Sequence, residues 1–150
     1  MARPLFGDRT VPRTLALADF QLDVLVIEDV DIDYEAVTES TADLAGLFGG
    51  DWPVGLTLRE NLVDLGWHER EFGRGTSFAW VIRDSDGRYC GCAYLRAGED
   101  DEILAHSWFR SSFDDLAAIE AFDAAWRTFA GSLSDAPVVH ARRSRFHPLG

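Results

Sequence analysis

The sequence predicts an α+β domain: a mixed, mostly antiparallel sheet with helices on both faces. Three observations predict it. Strand-like segments at 77–83, 89–96 and 102–110 follow one another across short polar turns, the pattern of an antiparallel meander. Two amphipathic helical segments precede them and a third follows. A short strand at 137–141 comes after that last helix. A strand–helix–strand connection within one sheet is right-handed and leaves its two strands parallel.

Each element has a local reason. Residues 1–19, with Pro4 and Pro12, read as a variable lead-in, residues 20–142 as the domain, and 143–150 as a tail. From Phe20 the run Gln-Leu-Asp-Val-Leu-Val-Ile is rich in β-branched residues and ends on Glu28 and Asp29. Asp31 or Asp33 can cap the helix that follows. Its stripe is Tyr34, Val37, Leu44 and Phe48, with Thr41 in register, and Gly49 and Gly50 end it. After Asp51-Trp52-Pro53, Thr57 and Glu60 make a capping box, the hydroxyl accepting from an amide and the glutamate reaching back. Leu58, Leu62, Leu65 and Phe72 form one face of this second helix, and Gly73 or Gly75 closes it.

In the reversal at 84–88, Gly87 supplies the positive φ. Gly91, in mid-strand, predicts a bulge or a close neighbour. The last helix takes Ser111 or Ser112 as its cap, carries Leu116, Ile119, Phe122, Trp126 and Phe129, and stops at Gly131.

Composition excludes several function classes. A formal charge of −12 repels a phosphate backbone, so no nucleic-acid partner is expected. Apolar runs fall well short of the ~20 residues of a membrane span, and the N-terminus lacks an apolar signal core. A cytoplasmic location without membrane contact is expected. The basic residues Arg142, Arg143 and Arg145 read as a solvated tail. There is no lysine, which excludes Schiff-base chemistry, a lysine-linked pyridoxal and a P-loop.

Cys90 and Cys92 would share one face of a regular strand. Two thiolates do not complete a zinc site, and no histidine stands at partner spacing, so no metal is expected. His68 and Glu71 are helix neighbours but lack the second histidine of a zinc helix. No G-x-S-x-G elbow occurs.

The candidate chemistry lies on one strand and one helix. Glu102 and His106 share a strand face with Trp108 and Arg110, and either could deprotonate an amine. Trp67, His68 and Glu71 on the second helix, with Trp80 on the first meander strand, are candidates to line a ligand pocket. Open edge strands leave room for a homodimer.

The order of elements resembles the GNAT-type N-acetyltransferase fold. The resemblance extends to a little-characterised branch of that family through Asp33-Tyr34-Glu35-Ala36-Val37, Leu47-Phe48-Gly49-Gly50-Asp51-Trp52-Pro53 and the stretch from Leu56 to Phe72 containing Trp67-His68-Glu69-Arg70-Glu71. Gly91-Cys92-Ala93-Tyr94-Leu95 and Ser107-Trp108-Phe109-Arg110 complete it. In that family, acetyl-CoA lies in a cleft where the fourth and fifth strands splay apart. The resemblance therefore implies a protein moving an acyl group from acetyl-CoA or another acyl-CoA to a small amine. Trp108, Phe109, Arg110, Ser111 and Ser112 would hold the cofactor.

The departures imply an alternative. Arg110 matches the position that opens the family's diphosphate turn, but Phe113 and Asp115 stand where its glycines would be, hindering close backbone approach. No tyrosine follows Tyr94. The chain ends before the helix that carries the family's general-acid tyrosine, so the domain reads as C-terminally shortened. The alternative is a non-catalytic small-molecule-binding or protein-interaction module on the same scaffold. A third arrangement, the cone-shaped fold of small cyclases and isomerases, is disfavoured by the long late helix.

Overall fold

The structure is a computed structural model and describes residues 3–146. Strand β1 is Thr14–Leu17 and β2 is Phe20–Val24; a 3₁₀ turn at Ile27–Asp29 leads into α1, Val30–Glu39. Then come α2 at Thr41–Leu44, α3 at Leu58–Arg74, β3 at Ser77–Arg83, β4 at Tyr89–Ala97 and β5 at Ile103–Phe109. Helix α4, Leu116–Leu133, precedes β6, Val138–Arg143. The six strands form one sheet in chain order, antiparallel throughout except for the parallel β5–β6 pair. This order is the GNAT arrangement and not the cone.

Alternation along the strands divides the core into two layers. Phe78, Trp80 and Ile82 of β3, with Phe109 of β5, pack under Ile119, Phe122 and Trp126 of α4. Ala79, Val81, Tyr94 and Trp108 face the other way, toward Ala36, Val37, Leu44 and Leu65. Fully burying each large side chain contributes roughly 1.5–3 kcal/mol, so both layers hold the sheet firmly.

The register slips between Ile82 and Arg83, whose partners are Gly91 and Tyr89, so one residue of β4 bulges out. The bulge changes the parity of the strand. Cys90 joins the α4 layer and Cys92 the opposite one, so the two thiols do not share a face as expected from a regular strand. A Cβ on Gly91 would lie 1.9 Å from the Trp108 carbonyl oxygen, which is the close approach that requires glycine there.

Several local expectations are corrected. The first helix is broken at Ser40, whose hydroxyl bonds back to the Ala36 carbonyl at 2.8 Å. Asp29, not Asp31 or Asp33, is its N-cap residue, and Asp33 is buried in its interior. On α3 the capping box is present and Gly75, at φ 74°, closes the helix. Leu58 and Leu62, however, are 47% and 44% exposed; the inward face is Asn61, Leu65 and Phe72.

Asp115, rather than either serine, caps α4, accepting from the Ala118 amide at 3.0 Å. The helix passes Gly131 because Leu133 continues its buried stripe. Within the lead-in segment, Thr14–Leu17 pairs with β2, and the Trp80 indole donates to the Pro12 carbonyl at 3.0 Å. Arg142 and Arg143 belong to β6 instead of a loose tail, and Arg142 pairs with Glu120 and Asp123. Residues 147–150 of the expected tail lie outside the described residues.

Candidate functional site

Helices α1 and α3 and the connection between α2 and α3 stand over β4, leaving a cavity of about 240 Å3 against Tyr94. Its walls are aromatic because the connection folds Phe48 and Trp52 inward. Phe48 meets Trp52 at 5.1 Å and Tyr94 at 5.3 Å between ring centroids. Trp67 and His68 close the far side, with His68 5.5 Å from the Tyr94 ring.

Two carboxyls reach this cavity. Asp33 is 3% exposed; Asn61 Nδ2 donates to one oxygen at 2.8 Å, and the Tyr89 hydroxyl donates to the other. Burial raises the Asp33 pKa above the usual carboxylate value, opposed by the hydrogen bonds from Tyr89, Asn61 and Cys92. Asp64 is also raised, by burial and then by the neighbouring Glu60. Burial lowers His68 to about 4, so its ring is neutral near pH 7, and its Nδ1 has no hydrogen-bond partner among the described residues. Arg96 also lines the cavity, its guanidinium 5.6 Å from the Phe48 ring centroid; the two carboxyls and the remaining ring faces favour a cationic group.

A second construction lies at the end of β5. Arg110 Nη2 meets Glu39 at 2.6 Å and Glu35 at 3.0 Å. The Ser111 amide donates to Ser40 Oγ at 2.9 Å and the Ser112 amide to Glu39 at 3.0 Å. The Ser111 hydroxyl donates to Asp43 at 2.5 Å. The Arg110 guanidinium, helped by the Ser112 amide against partial burial, holds the Glu39 carboxyl down at about 2. A broad, shallow cleft of about 820 Å3 runs from here to the β3–β4 turn. Its arginines are all engaged: Arg83 with Asp23 and Asp29, Arg88 with Asp84, Arg110 with Glu35 and Glu39.

The structure brings some of the predicted site residues together and separates others. Trp67 and His68 line the 240 Å3 cavity. Glu71 instead accepts from the Thr76 hydroxyl and pairs with Arg70 at 3.1 Å, at the end of α3. Trp80 is fully buried in the opposite layer. Trp108 is also fully buried, its indole donating to the Tyr94 hydroxyl at 3.0 Å, and Phe109 packs under α4.

Glu102 precedes β5, about 13 Å of extended chain from His106, so the two do not act as a pair. His106 is 6% exposed, and its Nε2 accepts from Arg96 Nε at 3.3 Å. Burial, then Arg96 and Arg143, lower it to about 4. With that lone pair engaged and so low a basicity, it is poorly suited to take a proton from an ammonium group.

Sequence reasoning missed Asp33, Asn61, Asp64 and Tyr94 as cavity residues. A single polar residue on an otherwise apolar helix face, Asn61 beside Leu65, was the available signal. Among the described residues no group of three or more His, Cys, Asp or Glu side chains is placed to hold a metal ion. No described helix is long and apolar enough to cross a membrane.

No protein-family model matches the sequence, and no curated protein does. Solved structures do match. RimL, a ribosomal L7/L12 alpha-N-protein acetyltransferase in complex with coenzyme A, aligns with a TM-score of 0.69 at 17% identity, covering 85% of this chain and 73% of RimL. Mycobacterium smegmatis RimJ in complex with CoA-disulfide aligns with a TM-score of 0.57 at 18% identity, over 80% of this chain and 62% of RimJ. FdhC, a nucleotide-linked sugar GNAT in its apo form, gives 0.59 at 15% identity, over 80% and 66% of the two chains. The protein therefore has the GNAT-type N-acetyltransferase fold.

That fold implies an acyl-CoA between the strands corresponding to β5 and β6, and the residues here do not fit it. The two strands stay in register from Ile103 opposite Val138 to Trp108 opposite Arg143, leaving no splay for a pantetheine arm. The amides of Ser111 and Ser112 are taken by side chains of the protein itself, and the Phe113 amide by the Arg110 carbonyl at 2.9 Å. Arg110 already faces two carboxylates.

Proposed function

We propose that this chain is a small-molecule-binding domain on a GNAT scaffold, and that its ligand is a small amine held in the cavity beside Tyr94. The observation that carries the reading is the unbroken β5–β6 pairing, which leaves a pantetheine arm no backbone to bond to without breaking the sheet. The cavity supports the ligand class: Trp52 and Trp67 offer ring faces and Asp33 and Asp64 offer negative charge, while the Phe48 ring is already covered by Arg96, which also lines the cavity. Binding an ammonium group there would favour ionised carboxyls and so offset the burial that disfavours them. The reading places the domain in the cytoplasm, with the outer strands β1 and β6 available for pairing with a second copy.

Titration of the folded protein with coenzyme A and acetyl-CoA, followed by melting temperature and calorimetry, tests this directly. No shift is expected at ~1 mM. A ligand at one hundred times its Kd would stabilise by ~2.7 kcal/mol, which is easily seen. A parallel screen of small primary amines, read by tryptophan fluorescence, is expected to give binders that Trp52→Ala and Asp64→Asn weaken. Micromolar binding of acetyl-CoA would overturn the reading and restore the second one, acyl transfer to a small amine. That second reading is favoured by the fold it shares with RimL and RimJ, both solved with forms of coenzyme A.

A further inference from the structure

The turn joining β5 to α4 contains what an anion dock is made of: a guanidinium, a backbone amide and a hydroxyl, at Arg110, Ser112 and Ser111. The chain's net charge of −12 repels free anions, so only a local cradle of this kind could hold one. Here acids of α1 and α2 have taken it. Glu39 spans the position with both oxygens: one is 2.6 Å from Arg110 Nη2 and the other 3.0 Å from the Ser112 amide nitrogen. Glu35 adds a second acceptor to the same guanidinium at 3.0 Å, and Asp43 takes the Ser111 hydroxyl at 2.5 Å.

We infer that Glu39 is an intramolecular occupant of a latent anion site, its carboxylate standing where a phosphate group would dock, and that removing it opens the site to inorganic phosphate. One carboxylate bridging a guanidinium and a backbone amide reproduces two of the charge-assisted bonds by which phosphate is held. Being carried on a helix, Glu39 meets its partners as a tethered group, so a free ion at millimolar concentration competes with a local concentration at least as high. Glu35 and Glu39 are one helical turn apart on α1, so both point at the same turn of chain. The device accounts for a β5–α4 connection that contains no glycine and whose Ser111 and Ser112 amides are satisfied by side chains of α1 and the α1–α2 junction.

The test is a comparison of the wild type with the Glu35→Ala/Glu39→Ala variant. Alanine is the best helix former, and both residues are exposed where they meet the turn, so the variant is expected to fold. Inorganic phosphate is titrated while the Ser112 amide resonance and the melting temperature are followed. The variant is expected to bind phosphate at least ~10-fold more tightly than the wild type, with the Ser112 resonance moving, and adding Arg110→Ala should abolish the gain.

A folded variant with no gain, or a wild type that responds equally, would overturn the inference. If the double variant does not fold, Glu39→Gln keeps the shape without the charge and should show a smaller gain at the same resonance; none would equally overturn it. Failure here is distinguishable from failure of the ligand reading. Coenzyme A binding by the wild type sinks the latter, whereas absence of phosphate binding in the variant sinks only this one.

Discussion

Asp33 and Glu39 lie on the same helix, yet burial and pairing move them in opposite directions. Glu39, lowered from 4.5 to about 2 chiefly by Arg110, contributes stability that is complete above its unfolded pKa. That contribution is lost as pH falls from about 4.5 through about 2. Asp33 is raised above 3.8 by burial, so its contribution is greatest below that value and declines as pH rises toward its folded pKa. The expected outcome is that Glu39→Gln flattens the acid limb of stability between about pH 4.5 and pH 2, measured by urea unfolding at several pH values. An unchanged acid limb would mean that the Arg110–Glu39 contact contributes little in solution. The sequence offers Asp31 or Asp33 as a cap, because aspartate is favoured at that position. Its partner Tyr89 comes from 56 residues further along, a separation that no local pattern encodes.

Elements show the same division between what is near in sequence and what is far. The Thr57–Glu60 box was readable because all its atoms lie within four residues, and both of its bonds are present. Thr57→Ala should cost ~1 kcal/mol in denaturant unfolding, with no change of m-value. The face of that helix was not readable. Leu58 and Leu62 repeat at helical spacing but stay exposed, since the inward direction is set by what the helix docks on, here β3 and α1. Gly91 announced a constraint, and tertiary packing supplied its cause in the Trp108 carbonyl. Gly91→Ala should therefore destabilise by ~2 kcal/mol or more, because the clash is with backbone and cannot be relieved by a rotamer change. A loss below ~0.5 kcal/mol would show that β4 and β5 separate easily at this point.

At the scale of the whole molecule, the sheet and its two cores follow a GNAT arrangement, while the feature that admits acyl-CoA in that fold is closed. The closure has two parts, the strand pairing from Ile103 to Trp108 and the acids on Arg110 and Ser112. They are independent, so a lack of response to acetyl-CoA should persist when Glu39 is removed, even as phosphate binding appears. Recovery of acetyl-CoA binding by the Glu39 variants would indicate that the turn alone had excluded it.

The amino-acid sequence by itself determined the strands of the meander, the long helices, the tight turn at Gly87 and the parallel return. These depend on periodicity, caps and backbone permissions that act over a few residues. Only the tertiary structure decided that Asp33 and Asn61 line a cavity, that Cys90 and Cys92 part company, and that Glu39 fills the turn. Each of those depends on which distant group satisfies a buried charge, a bulged strand or a free amide, and that choice is made when the layers pack together.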